Sequence, residues 1–199
     1  VASLVGSEMC IRDRLRTKKV VATIHHLDLQ KFDNASRSSF TFRDQLVDFY
    51  HVPCEATANQ ISSLTNKPIW IQPFWVNQEI WHEVADSDLR SKIGLPNNKI
   101  LIGSFQRDTE GHDLKSPKLS KGPDLFCDIV EQMHEKNKDL EVVLAGWRRQ
   151  YVMRRLKEKN IKYYYYEWAD FDLLNKLYNC LDLYLVSSRC EGGPQAIPE

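Results

Sequence analysis

The chain has 199 residues, 42% of them hydrophobic, and its 27 lysines and arginines balance its 27 aspartates and glutamates to a formal net charge of zero. This balance excludes bulk electrostatic binding of nucleic acid or of an anionic membrane as the main function. The apolar content excludes a disordered chain and is sufficient for a hydrophobic core. The length accommodates one large domain or two smaller ones.

From Lys18 onward, short β-branched or aromatic runs alternate with helical stretches. The predicted strands are Lys19–His25, Val47–Val52, Pro68–Gln72, Lys99–Ser104, Leu140–Ala145, Lys162–Glu167 and Leu181–Ser187. The predicted helices cover approximately 37–46, 55–65, 86–93, 122–136, 148–159 and 170–179. Alternation of this kind is typical of βαβ units, so the sequence predicts an α/β fold with parallel sheets.

A segment rich in Pro, Trp and Asn, Gln72–Asn77, separates two blocks of this alternation. We interpret it as a linker, which predicts one domain over 1–76 and a second over 77–199. Residues 3–14 resemble a translated sequencing adaptor, so 1–17 are left out of the fold prediction. At the other end the chain stops at Glu199, just after a Gly-Gly-Pro turn where a helix is expected to begin, so we expect both domains to be incomplete.

The apolar runs are too short for a membrane span. The five cysteines contain no Cys-x-x-Cys pair, and therefore no metal or redox spacing. We expect reduced thiols in a cytoplasmic protein, with peripheral membrane contact as a further option. That option rests on the basic run Arg148–Lys162, which could touch anionic lipid head groups or form a solvated helix face.

Ligands of open parallel sheets bind beyond the carboxyl ends of the strands, so the residues after each strand are the place to search. Arg107 follows the fourth predicted strand, and a polar loop leads from it to Lys121, where a helix begins. The last predicted strand is followed by Gly192, Gly193 and Pro194. Glycines permit close backbone approach, and a helix beginning at a proline presents amides to an anion such as a diphosphate.

Two carboxylates, Glu191 and Glu199, flank this glycine turn at a spacing of eight. Carboxylates accept hydrogen bonds from vicinal hydroxyls, which suits a sugar or a ribose. The cations Arg107 and Lys121 would neutralise phosphates from a different loop. These residue types together favour a nucleotide-sugar ligand.

This set of motifs resembles the donor half of retaining glycosyltransferases of family 4, which have the GT-B fold. The resemblance rests on the Glu191-x7-Glu199 spacing, the Gly103–Arg107 loop, the helix start at Lys121 and the strand Leu181–Ser187. It extends over about residues 19–199. Thr23–His26 resembles the family's histidine loop in the acceptor domain, and Ile71–Asn77 resembles the segment entering the linker.

The resemblance implies transfer of a sugar from a nucleotide-diphosphate sugar to a glycan or lipid-linked hydroxyl acceptor, with retention and without a metal or other cofactor. The implied catalytic residues are His25, Glu191, Arg107 and Lys121, and the implied nucleotide-binding residues are Gly103, Arg107, Lys121, Gly192, Gly193 and Glu199. Glu199 would hold the ribose, Glu191 the transferred sugar, and His25 would face the reaction centre. Because Arg107 and Lys121 are farther apart here than in the family, Lys115 and Lys118 are alternative cations.

Three other interpretations stay open. A nucleotide-sugar epimerase of the same fold would need an acid/base pair that the sequence does not reveal. A non-catalytic, two-lobed sugar-binding module would need no such pair. A metal site at His25, His26 and Asp28 is disfavoured, because the spacing supplies no further ligand.

Overall fold

The computed structural model of the chain describes residues 18–27, 32–189 and 191–199. Parallel sheets alternate with helices throughout this part, so the predicted α/β fold is confirmed. The structure divides into two compact units, one formed by the described residues up to Phe74 with Glu191–Gly193, the other by those of Trp75–Cys190 and Pro194–Glu199. The acceptor and donor roles of 1–76 and 77–199 stay a prediction. The adaptor-like segment and Asp28 lie outside the described residues.

The first unit contains a parallel sheet in the order β1-β2-β3. Its elements are β1 (Val21–Thr23), α1 (Asn34–Asp44), β2 (Phe49–Val52), α2 (Glu55–Ser62) and β3 (Ile69–Ile71). Tyr50 and Val52 of β2 pack with Ile61 of α2 in the core. Helix α1 begins earlier than predicted because the Asp33 carboxylate accepts a hydrogen bond from the Ser36 amide at 2.8 Å and caps the helix.

The second unit contains a parallel sheet in the order β6-β5-β4-β7. Its elements are α3 (Leu89–Lys92), β4 (Ile100–Ser104), α4 (Pro123–Lys136), β5 (Leu140–Ala145), α5 (Gln150–Glu158), β6 (Tyr163–Tyr166), α6 (Phe171–Asn179) and β7 (Leu183–Tyr184). A short 3-10 turn, Leu119–Lys121, precedes α4.

The core of the second unit lies on both faces of its sheet. Every residue of β5 is buried. Val142 and Leu144 pack on one face with Phe126 of α4, and Val143 packs on the other with Leu177 of α6. Coverage of both faces explains why the strand sequences are continuous apolar runs rather than alternating ones.

The last strand is shorter than predicted. Pairing with β4 extends to the Leu185 amide, which donates to the Gly103 carbonyl oxygen at 3.0 Å. Beyond this point the chain turns toward α4, and Ser187 contacts the start of that helix. The predicted strand over Leu181–Ser187 is therefore wrong at both ends, because tertiary contacts rather than composition end it. In the part of the chain that the structure describes, no helix is long and apolar enough to cross a membrane.

Candidate functional site

The sheet of the second unit has a topological switch point at β4. This strand pairs with β5 on one side and with β7 on the other, so the chain winds in one direction through β5 and β6 and then returns. A crevice opens at such a point beyond the carboxyl ends of the two strands. The residues that follow β4 include Arg107, so the predicted cation lies at the edge where a ligand is expected.

The start of α4 closes one side of this crevice. Gly122 has φ +61°, a left-handed backbone that favours glycine, and a Cβ at this position would overlap the Ser187 carbonyl oxygen. Ser187 in turn donates its hydroxyl to the Lys121 carbonyl oxygen at 3.2 Å. Ser187, three positions beyond the end of β7, and Gly122, the residue before α4, therefore touch only because position 122 has no side chain.

An ion pair fastens the segment after β7 to α4. The two terminal nitrogens of Arg189 donate to the two carboxylate oxygens of Asp124 at 2.7 and 2.6 Å, and the Arg189 amide donates to the Ser120 carbonyl oxygen. The hydrogen bonds from Arg189 hold the pKa of Asp124 below its usual value. Arg189 therefore anchors Ser120 and Asp124, which lie on either side of Lys121 in the sequence.

The β4–α4 loop, residues 105–121, folds back on itself. Thr109 forms an antiparallel bridge with Pro117, and the Glu110 amide donates to the Ser116 carbonyl oxygen at 3.0 Å. At the tip, the Asp113 carboxylate accepts hydrogen bonds from Ser116 and from the Lys115 amide, which lower its pKa to about 2. Because the loop returns to its starting point, Arg107 and Lys121 come together although they are fourteen positions apart in sequence.

Both cations line one small polar cavity at the base of the crevice. Its lining includes Ser104, Gln106, Arg107, Lys121, Arg149 and Ser187. The Arg107 side chain is exposed and donates from Nε to the Thr109 carbonyl oxygen at 2.8 Å. The Ser188 hydroxyl donates to Gln106 Oε1 at 2.7 Å and links the segments after β7 and β4. The Asp108 carboxylate lines the same cavity and is paired with Arg149, which leaves Arg107 and Lys121 as cations of the kind that bind phosphate.

Gly103 has a packing explanation. It lies inside β4 and is buried, and a Cβ at this position would overlap the Leu181 side chain. The glycine therefore makes room for Leu181 behind the strand. Its proposed part in nucleotide binding stays a prediction.

Glu199 lies in a separate depression of the second unit. A hydrogen-bonded turn follows Pro194, with the Ile197 amide donating to the Pro194 carbonyl oxygen at 3.1 Å. Tyr178 donates its hydroxyl to Glu199 Oε2 at 3.2 Å, and Trp81 lines the same depression. Burial raises the pKa of Glu199, and the hydrogen bond from Tyr178 opposes that shift.

The first unit brings His25 and the two glycines of the final turn together. A Cβ at Gly192 would overlap the His25 carbonyl oxygen, and one at Gly193 would lie 3.2 Å from Pro53. The His25 ring stacks on Phe74 with centroids 4.7 Å apart. Glu191 precedes these glycines in the same unit, whereas Glu199 belongs to the other unit.

Within residues 18–27, 32–189 and 191–199, no group of three or more His, Cys, Asp or Glu side chains could hold a metal ion. His25 and His26 belong to this part of the chain, and the third residue of the disfavoured metal hypothesis, Asp28, does not.

The chain matches no protein-family model and no curated protein sequence. Its structure is similar to sucrose-phosphate synthase from Thermosynechococcus elongatus, with a TM-score of 0.69 and 16% identity over 93% of this chain and 49% of that protein. It is also similar to Anabaena HepE in complex with UDP and glucose, with a TM-score of 0.66 and 13% identity over 86% of this chain and 47% of that protein. Staphylococcus aureus TarM, in complex with UDP, gives a TM-score of 0.62 and 15% identity over 87% of this chain and 33% of that protein.

The chain has the GT-B fold. It spans half or less of the length of these three proteins. In this GT-B chain the cations predicted for the diphosphate meet at the switch point of the second unit, while His25 and Gly192 meet in the first.

Sequence reasoning missed a buried ion pair below the cations of the GT-B crevice. Asp108 is 2% exposed and Arg149 is fully buried, with Arg149 Nε 3.4 Å from Asp108 Oδ2. Burial raises the pKa of Asp108 to about 6, and the charge of Arg149 opposes that shift. The available signals were an aspartate next to Arg107 and an arginine shortly after a buried strand, and both are ordinary for exposed loops.

Proposed function

We propose that this chain is part of a retaining glycosyltransferase of family 4 that moves a sugar from a nucleotide-diphosphate sugar to a hydroxyl acceptor. The observation that carries the proposal is the cavity beyond the carboxyl ends of β4 and β7, which Arg107 and Lys121 line together. TarM and HepE, which share the fold, are complexed with UDP in their structures. The acceptor is a glycan or a lipid-linked hydroxyl.

The chemistry follows from where charge develops. When the glycosidic bond of the donor breaks, negative charge grows on the leaving diphosphate. Cations already fixed at the crevice stabilise that charge more strongly in the transition state than in the ground state. The N-terminus of the fourteen-residue helix α4 adds its dipole beside Lys121. With these groups the proposed reaction proceeds without a metal ion.

The remaining predicted residues serve binding and orientation in this proposal. Glu199 accepts hydrogen bonds from the ribose hydroxyls, and Tyr178 holds its carboxylate. Glu191 contacts the transferred sugar and His25 faces the reaction centre, as the family resemblance implies. Gly192 and Gly193 supply backbone amides that donate hydrogen bonds to the diphosphate.

Calorimetric titration of the chain with UDP, ADP, GDP and dTDP tests the nucleotide site. We expect one diphosphate to bind, and we expect Arg107→Ala and Lys121→Ala each to weaken it about 10- to 100-fold, the value of a hydrogen bond to a charged group. For the matching nucleoside monophosphate, the same two substitutions should lower the affinity less. Lys176→Ala is the control, because Lys176 forms an exposed ion pair with Asp172 on α6. Unchanged affinity in both variants would contradict the assignment and direct attention to Lys115 and Lys118.

A turnover assay of the full-length protein, rather than of this chain, separates the roles of these residues in catalysis and in donor binding. Arg107→Ala and Lys121→Ala should lower kcat about 10²- to 10³-fold, as for other preorganised charge stabilisers, whereas Glu199→Ala should mainly raise the donor KM. Activity should survive EDTA. Release of an epimerised sugar without any acceptor would favour the epimerase, and sugar binding without a nucleotide would favour the binding module.

Peripheral membrane contact stays a prediction, and the pairing of the basic run predicts that it is weak. Arg155 pairs with Asp128 at 2.9 Å and with Glu131 at 2.7 Å, while Lys159 lies 3.6 Å from Glu131. These carboxylates neutralise part of the basic run. Cosedimentation with phosphatidylserine vesicles measures the contact.

A further inference from the structure

We infer that Asp108 and Arg149 are positioning residues that hold the β4–α4 loop in the shape that presents Arg107 to the ligand. The identity of that ligand rests on the proposed function. The shape of the loop does not rest on it, because amide hydrogen exchange reports that shape without any ligand.

Asp108 is connected through its backbone and its side chain to three different segments. Its amide donates to the Arg148 carbonyl oxygen at 3.1 Å, and its own carbonyl oxygen accepts from the Lys118 amide at 2.8 Å. Its carboxylate accepts from the amides of Tyr151 and Val152, at 3.3 and 3.2 Å, in the first turn of α5. The residue next to Arg107 is thus attached to the returning arm of the loop, to the connection between β5 and α5 and to a helix of the core.

Arg149 closes this network from below. Its guanidinium donates to the Ser104 hydroxyl at 3.2 Å and to the Ala145 carbonyl oxygen at 3.4 Å, which are the last residues of β4 and β5. It also faces Asp108 in the ion pair. A fully buried cation requires this counter-charge, so the two side chains fix each other's positions.

The backbone around Arg148 is bent to meet this network. Arg148 has φ +64°, a left-handed conformation that costs a non-glycine residue about 1–2 kcal/mol. The bend directs the Arg148 carbonyl oxygen to the Asp108 amide. It also brings the Arg148 guanidinium to the Gly111 carbonyl oxygen, to which it donates a hydrogen bond. Local strain of this kind persists where surrounding contacts determine the conformation, and it is concentrated at functional sites.

Stability alone is a weak explanation for the pair. Replacing a buried ion pair by apolar residues is often neutral or stabilising, whereas a pair contributes a defined geometry. That geometry positions Arg107, because its Nε donates to the carbonyl oxygen of Thr109, the residue directly after Asp108. The position of its guanidinium therefore depends on the position of this short stretch of backbone.

Amide hydrogen exchange tests the shape of the loop. In Asp108→Asn we expect amides of residues 105–121 to exchange at least about tenfold faster, while those of β5 keep the wild-type rate, because loop opening is local. Since Asp108→Asn leaves Arg149 without a counter-charge, the variant D108N/R149M, which removes both charges, is measured beside it. Unchanged exchange in residues 105–121 of both variants would overturn the inference.

A double-mutant cycle tests the route through Arg107. Asp108→Asn should weaken binding of the nucleoside diphosphate about tenfold in the wild-type background and less than about twofold in Arg107→Ala, because the two changes remove one effect. An equal loss of affinity in both backgrounds would mean that Asp108 has a purely structural role and does not act through Arg107. If the wild-type chain bound no nucleoside diphosphate, the proposed function would fail, and the exchange experiment would still decide the positioning of the loop.

Discussion

Gly122 is the position at which a single methyl group tests the architecture of the crevice. Its backbone is left-handed, and the Cβ of an alanine would overlap the Ser187 carbonyl oxygen and lie 2.8 Å from the carbonyl carbon. Atoms do not approach this closely, so Gly122→Ala must separate the start of α4 from the end of β7. The neighbouring Lys121 and Arg189 move with these two segments.

The cost has two parts that can be measured separately. A left-handed alanine costs about 1–2 kcal/mol, and forcing backbone apart in a packed region costs about 1–3 kcal/mol more, so we expect a total of about 2–5 kcal/mol. Gly94 supplies the matched control. It has φ +82°, but a Cβ there meets nothing within 4 Å, so Gly94→Ala should cost only the backbone part.

Urea unfolding followed by far-UV circular dichroism gives the free energies of both variants. Calorimetric titration with the nucleoside diphosphate gives the consequence for the crevice, where we expect Gly122→Ala to lose affinity and Gly94→Ala to retain it. Equal destabilisation by the two substitutions would show that the contact between Gly122 and Ser187 is not rigid. The closure of the crevice by α4 would then be refuted.

Three further predictions concern the second unit. Leu156→Ala should lower the free energy of unfolding by about 2–5 kcal/mol, because Leu156 is fully buried, and Leu125→Ala on the exposed side of α4 should cost much less in the same urea experiment. Arg155→Ala should cost about 1 kcal/mol, less at high salt, since its pairs with α4 are partly exposed, and the salt series measures this. Tyr178→Phe should raise the pKa of Glu199 further in an NMR titration, because it removes the hydrogen bond that opposes burial. Since the folded pKa lies above 4.5, this carboxyl group should stabilise the fold most at low pH and lose that contribution as pH rises through the folded pKa.

The order of elements could be predicted from the sequence because the buried strands carry a strong pattern. β5 is continuous in apolar residues apart from Glu141, and both of its faces are covered. Element boundaries were less accurate for a local reason at α1 and a tertiary reason at β7. The cap at Asp33 starts the helix earlier, and the contact between Ser187 and Gly122 ends the strand sooner.

The meeting of Arg107 and Lys121 could be predicted because both stand at the edge of a parallel sheet where ligands bind. Their wide spacing in sequence gave no indication of how close they lie. Their proximity depends on the bridge between Thr109 and Pro117, which folds the loop back. Such a bridge requires no periodic apolar pattern, so the sequence does not reveal it.

The pair Asp108 and Arg149 marks the limit of such prediction. They are forty-one positions apart, and each follows a strand at a place where charged residues are usually solvated. Their burial results from three segments closing over them, which composition does not encode. A surface cation next to a strand end can therefore be recognised from sequence, whereas the buried charges that orient it become visible only when the strands are assembled. A non-zero coupling energy between Asp108 and Arg107 would mean that the exposed cation and the buried pair below it act as one energetic unit. Substitutions in either should then be interpreted together.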